Sequence, residues 1–221
     1  MSCVRRCALA MAAFALAACA SPPLVWHTLV EPLGGAAAAR SDGNHVFEFA
    51  VPGVPAQVDR AELVLSDVGS RQVRVLEGER WLASLPEEIR AALSRGYARA
   101  SGAREATGLP RPQGVPLLRV RTMVRRFEIG DGRAALEAEW SLQLAGEATR
   151  DVPLCRWSGR TKAPGAAPRM EASKALGTGV SAMQGLLDSL AATIALMGSA
   201  WIADAETPCP ASGEIIATPL G

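Results

Sequence analysis

The sequence predicts an α/β fold: a single mixed β-sheet of five to six strands packed with two main helices. Three observations carry that expectation. Residues 118–144 alternate apolar and polar side chains on both sides of Gly130-Asp131-Gly132, the period-two signature of a hairpin. Leu82, Leu85, Ile89, Leu93 and Tyr97 recur at three- and four-residue spacing, the signature of an amphipathic helix. Leu176, Val180, Met183, Leu187, Leu190, Ile194, Met197 and Trp201 repeat that spacing in a second, longer stripe. With 221 residues, 49% of them hydrophobic, the chain suffices for one domain with a sizeable core.

Taken in order, residues 1–18 read as a removable secretory signal. Arg5 and Arg6 form the basic start, Ala8 to Ala18 the apolar stretch, and small residues precede Cys19. That stretch is too short for a permanent span, which needs about 20 residues. Leu16-Ala17-Ala18-Cys19 has the pattern of a bacterial lipobox, whose Cys is acylated and becomes the first mature residue. An ordinary signal with a chance Cys is the alternative. Residues 19–44 read as a lipidated tether, stiffened by Pro22, Pro23 and Pro32 and loosened by Gly34 to Ala39, with a short strand at Val25–Val30.

The globular part is expected over 45–205. His45 to Val51 forms a strand with His45, Phe47, Phe49 and Val51 on one face, ended by Pro52-Gly53. Ala61–Leu65 and Gln72–Leu76 are two further short strands. The first helix carries a capping box, Ser84 with Glu87, tolerates Pro86 in its first turn and closes at Gly102. In the hairpin, Leu118, Val120, Thr122 and Val124 share a face opposite Arg119, Arg121 and Arg125. Its partner strand turns Leu136, Ala138, Trp140 and Leu142 one way and Glu137 and Glu139 the other. Arginines beside glutamates suit cross-strand pairing on an exposed face, although the arginines could also meet anionic lipid headgroups. Val152–Thr161 is a further strand. The last helix runs from about Met170 to Ile202, with Gly177, Gly179 and Gly185 weakening its first half, so that it could begin near Val180. Gln184 and Asp188 interrupt its apolar run, which favours a core-packed helix over a membrane span, and its broad stripe could also bury surface against another subunit. Residues 206–221 read as a C-terminal tail.

Charge and motifs exclude several function classes. Lys+Arg 23 against Asp+Glu 22 leaves no basic footprint for nucleic acid. His27 and His45 lie in expected strands without metal-ligand spacing or a nucleophile partner. Glu87-Glu88 reads as favourable charge at a helix start rather than an acid/base pair. Gly177 to Ala182 superficially fits a dinucleotide loop but follows no strand. We assign no catalytic, cofactor-binding or metal residue.

Of five cysteines, Cys3 and Cys7 leave with the signal and Cys19 is the acylation candidate. Cys155 and Cys209 remain, a candidate disulfide in an oxidising compartment, the alternative being two separate thiols.

The middle of the chain resembles the ABC-type transport auxiliary lipoproteins, the PqiC-like group. The residues that carry the likeness are Val51-Pro52-Gly53 through Asp59-Arg60-Ala61-Glu62-Leu63-Val64, then Arg80-Trp81-Leu82-Ala83-Ser84-Leu85 with Ile89 and Leu93, then Phe127-Glu128 and Ala138-Glu139-Trp140. Leu82 is an extra residue where Trp-Ala is usual, and Glu128 stands where Asp is common. The resemblance implies a sandwich similar to the anticodon-binding-domain or TolB N-terminal type, with Asp59, Arg60, Trp81, Leu85 and Trp140 as architectural motif residues. It further implies a non-catalytic role as an outer-membrane lipoprotein facing the periplasm, docking onto an MCE-family periplasmic protein of a lipid transport system, with self-association into a homo-oligomeric ring. A lipid-binding carrier, an envelope-assembly lipoprotein and a periplasmic hydrolase are the competing readings. The carrier needs a cavity of several hundred Å3.

Overall fold

The computed structural model describes residues 23–30, 44–66, 72–110, 113–130, 133–147, 152–161, 172–211 and 214–217. The signal segment, Cys19 and most of the expected tether lie outside them. The α/β class is as expected. Among the described residues the sheet has nine strands rather than five or six: β1 (Val25–His27), β2 (Val46–Phe49), β3 (Glu62–Ser66), β4 (Val73–Trp81), β5 (Arg104–Glu105), β6 (Leu117–Gly130), β7 (Arg133–Leu144), β8 (Leu154–Thr161) and β9 (Glu214–Ala217). Seven of them fall on the stretches read above as strands and all seven join the one sheet; the other two, β5 and β9, are two and four residues long, too short for an alternation to be recognised. The helices are α1 (Leu85–Ser101) and α2 (Ala172–Ala203).

Strand order is β1-β4-β3-β6-β7-β8-β9, and β2 pairs with both β5 and β6. β6 is the spine. Along one edge it meets β7 antiparallel, as the alternation requires. Along the other it meets in turn β2 at Leu117–Val120, Gly53 at Met123, and β3 at Ile129. The stretch from Val46 to Leu65 is thus one parallel partner, interrupted where Val58, Asp59 and Arg60 turn on bonds to Pro55 and Val58 carbonyls.

The β6–β7 hairpin buries the predicted face. Leu118, Val120, Val124, Leu136, Ala138, Trp140 and Leu142 are all at most 2% exposed. A register shift between Val124 and Arg126 preserves this by letting Phe127 and Ile129 face inward again. α2 packs on this face, with every residue of its stripe from Leu176 to Trp201 buried, and α1 packs against α2 and β2. α2 also passes the length and hydropathy test for a membrane span over Leu176–Ala203, but its stripe is occupied by the sheet and α1. It runs through its glycines without interruption. Gly179 explains its own presence, since a Cβ there would approach the Gly130 carbonyl to 2.9 Å. Gly96 does the same for the helix pair, because a Cβ there would stand 2.7 Å from the Ala191 Cβ. Gly96→Val should therefore lower stability by about 1–3 kcal/mol through overpacking, read as a lower urea midpoint.

Three local expectations need correction. Leu82 is not on the helix but beyond β4, 66% exposed. Val51 follows the end of β2 and is 55% exposed, so only His45, Phe47 and Phe49 of its row are buried. The Ser84/Glu87 capping box does not form: Ser84 is the N-cap without a side-chain bond, and Glu87 pairs instead with Arg90 at 2.8 Å. Gly102 closes α1 at φ 69°, the left-handed conformation that glycine adopts without strain.

Candidate functional site

The segment nearest the candidate anchor is sewn into the domain. β1 pairs parallel with β4, Val25 opposite Glu79 and His27 opposite Trp81, and the His27 carbonyl accepts from Leu82 N–H at 2.8 Å. His27 Nε2 lies 2.6 Å from Glu79 Oε2. Beyond β1 the chain turns onto Glu88. One carboxylate oxygen accepts from the Thr28 hydroxyl at 2.7 Å and Leu29 N–H at 2.8 Å, and the other from Ala83 N–H at 3.0 Å. Gln184 of α2 donates to the Thr28 carbonyl at 3.1 Å, and Leu29 is 2% exposed. Glu88, 4% exposed, thus joins three segments: the end of β1, the β4–α1 turn and the first turn of α1. In the sequence it reads, with Glu87, as favourable charge at a helix start. No local signal separates the two, since Thr28 and Leu29 are about 60 residues away and the nearby partner, Ala83, offers only a backbone N–H.

At the other end, Cys155 of β8 is bridged to Cys209, with a Cα–Cα distance of 5.4 Å. Cys155 is buried and Cys209 exposed. The bridge holds the chain after α2 against β8, where β9 then adds as a parallel strand from Ser158 to Thr161. Within 206–221, expected as a tail, Glu214–Ala217 therefore joins the sheet.

The outer face of the hairpin is a ladder of ion pairs. Glu139 lies between Arg125 at 2.6 Å and Arg156 at 3.0 Å, and Arg126 bridges Glu128 at 2.8 Å and Glu137 at 3.3 Å. Arg119 pairs with Glu48. Hydrogen bonds from Arg125, then Arg156, hold the Glu139 carboxyl below its usual range. These arginines are engaged within the sheet, which suits the paired-face reading.

The motif residues are spread through the fold. Trp81 ends β4 and is buried edge-on against Phe127, ring centroids 6.2 Å apart. Leu85 opens α1 at 1% exposure, and Trp140 lies in the core at 1%. Asp59 and Arg60 form the exposed turn before β3, and Arg60 approaches Glu62 at 3.4 Å. The structure does not gather these five into one site.

His45 is buried beside Tyr97, its Nε2 2.8 Å from the phenol oxygen and its Nδ1 3.0 Å from Asn44 Oδ1. The neutral ring satisfies both, and burial pushes its pKa down. This is a core pair. Among the described residues no three His, Cys, Asp or Glu side chains gather as for a metal. The cleft between Leu29, Val30, Ala92, Arg95, Arg99, Gln184 and Asp188 has about 10 Å3, room for one water molecule.

Residues 27–195 match the family described as ABC-type transport auxiliary lipoprotein component, from His27 within β1 to Ala195 within α2. The chain belongs to this family. Membership in a lipoprotein family of transport systems makes it an envelope component with a transport-system partner. That the match opens inside β1 agrees with the pairing of β1 into the auxiliary domain. The auxiliary lipoprotein is also similar in fold to a solved structure titled only as an uncharacterized protein, with TM-score 0.55 and 16% identity, over 79% of this chain and 98% of that one. A second similar structure is protein XCC0632 from Xanthomonas campestris, with TM-score 0.49 and 12% identity, over 81% of this chain and 95% of that one. No curated protein matches.

Proposed function

We propose that the chain is the non-catalytic docking component of an MCE-type ABC transport system that carries lipids between the inner and outer membranes. It is fixed at the outer membrane, facing the periplasm, by acyl groups on Cys19. The family match over residues 27–195 is the observation that carries this reading. The basic start, the apolar stretch and Leu16-Ala17-Ala18-Cys19 support the anchor. Ala20 follows Cys19, where an Asp would retain enteric lipoproteins at the inner membrane. Three acyl chains exceed the two signals that stable anchoring requires. The partner is the MCE-family periplasmic protein of the same system, met by the domain alone or as a homo-oligomeric ring. A lipid carrier draws no support from the α1–α2 cleft, whose volume is far below the several hundred Å3 a lipid needs.

Affinity capture of the full acylated protein from mildly solubilised envelopes tests the role. An MCE-family protein should co-purify; repeated capture without one refutes docking. Cys19→Ser should abolish acylation and leave the protein in the soluble fraction. If that variant still sediments with the outer membrane, the anchor lies elsewhere.

A further inference from the structure

The joining of β1 to the sheet changes the length of the leash. Only four residues lie between Cys19 and Leu24, and the five steps span at most roughly 18 Å fully extended. A tether running to residue 44 would have allowed the domain to move freely; this one is shorter than the diameter of a domain this size, about 30–40 Å from its radius of gyration. The side of the molecule carrying the start of β1 must therefore face whatever holds Cys19.

That side is apolar. Leu24 is 50% exposed, Val25 45% and Trp26 54%. β1 ends the strand order, so its outer edge is open among the described residues, a feature proteins usually blunt with charge or cover. β1 runs parallel to the last three residues of β4, Glu79 to Trp81, so the chain approaches it along the edge of the sheet from the side where β4 begins. A tryptophan among aliphatic side chains is the composition of a membrane–water interface, where the ring lies at headgroup level. The pairing of His27 with Glu79 and the clamp on Glu88 present this edge on a rigid sheet.

We infer that Leu24, Val25 and Trp26 rest in the bilayer interface beside the anchor, so that β1 docks the domain against the membrane in a fixed orientation. This rests on Cys19 being the anchored residue. The sheet face and helices away from β1 are then left for the transport partner.

Trp26 makes the inference measurable. Of five tryptophans, Trp81, Trp140, Trp157 and Trp201 are at most 4% exposed, and Trp26 alone is open. With Cys155 and Cys209 bridged, Cys19 is the free thiol of the mature chain. The chain from Cys19 onward can therefore be coupled through that thiol to maleimide phospholipid in vesicles of phosphatidylethanolamine and phosphatidylglycerol. Replacing part of the lipid with one brominated high on an acyl chain should quench up to about a fifth of the emission, one ring in five. Trp26→Phe should remove that quenching, and Leu24→Glu should reduce it at least twofold with the circular dichroism unchanged. Equal emission from coupled protein in brominated and ordinary vesicles overturns the inference. So does concentration-dependent shielding of Trp26 from acrylamide in the uncoupled protein, which would mean that a second copy covers β1. Chemical coupling separates the two readings. Absence of a lipid mass on cell-purified protein refutes the anchor alone, and coupling without quenching refutes the docking alone.

Discussion

Glu88→Ala should cost about 3–5 kcal/mol of stability, seen as a large fall in the urea midpoint at nearly unchanged slope. The carboxylate accepts from two backbone N–H groups, Leu29 and Ala83, and from the Thr28 hydroxyl, at 2.7–3.0 Å. Leu29 is 2% exposed, so water cannot replace its lost acceptor. Each stranded donor costs about 1–3 kcal/mol, and the charge-assisted bonds are individually among the stronger kind. Glu88→Gln keeps one acceptor oxygen and should fall between the two proteins. The clamp also holds β1, so limited proteolysis of the alanine variant should begin between residues 23 and 31 while the wild-type chain resists there. Equal urea midpoints for wild type and Glu88→Ala would show that the three bonds contribute nothing net.

Cys209→Ser should cost up to about 4 kcal/mol, from the chain entropy released when a 54-residue closure is opened. Cys209 is the preferred site because it is exposed, whereas a hydroxyl at Cys155 would be buried in the core. β9 still pairs with β8 in the open chain, and that residual docking makes the figure an upper bound. Adding reductant should bring the wild-type urea midpoint down to that of the variant and leave the variant unmoved. If reductant shifts neither protein, the bridge does not constrain the unfolded chain.

The elements legible in the sequence are those whose signal is local. The hairpin declares itself because Leu118 to Val124 and Ala134 to Leu144 alternate, with only Thr122, Met123 and Ala135 out of pattern, and one face is wholly buried. The ion pairs of Glu139 with Arg125 and Arg156 follow from that register. α2 is legible for the same reason, at helical period. Leu82 is misplaced because an aliphatic residue at the right spacing extends the helical pattern backward past the N-cap, Ser84. The three-residue β1 shows in the sequence through its β-rich composition rather than a period, and a two-residue strand such as β5 has neither.

By itself, the sequence determines the α/β class, the two helical stripes, the hairpin with its buried and paired faces, and a lone pair of cysteines once the first nineteen residues are set aside. The tertiary structure alone decides that Glu88 rather than Glu87 is the structural acid, that Trp81 closes a strand, and that β1 belongs to the sheet instead of a loose tether. Periodicity reports only which side of its own element a residue occupies. Two of the three partners of Glu88 lie 59 and 60 positions away and that of Gln184 lies 156 away, separations at which only the closed sheet and the helices packed upon it bring donor and acceptor together.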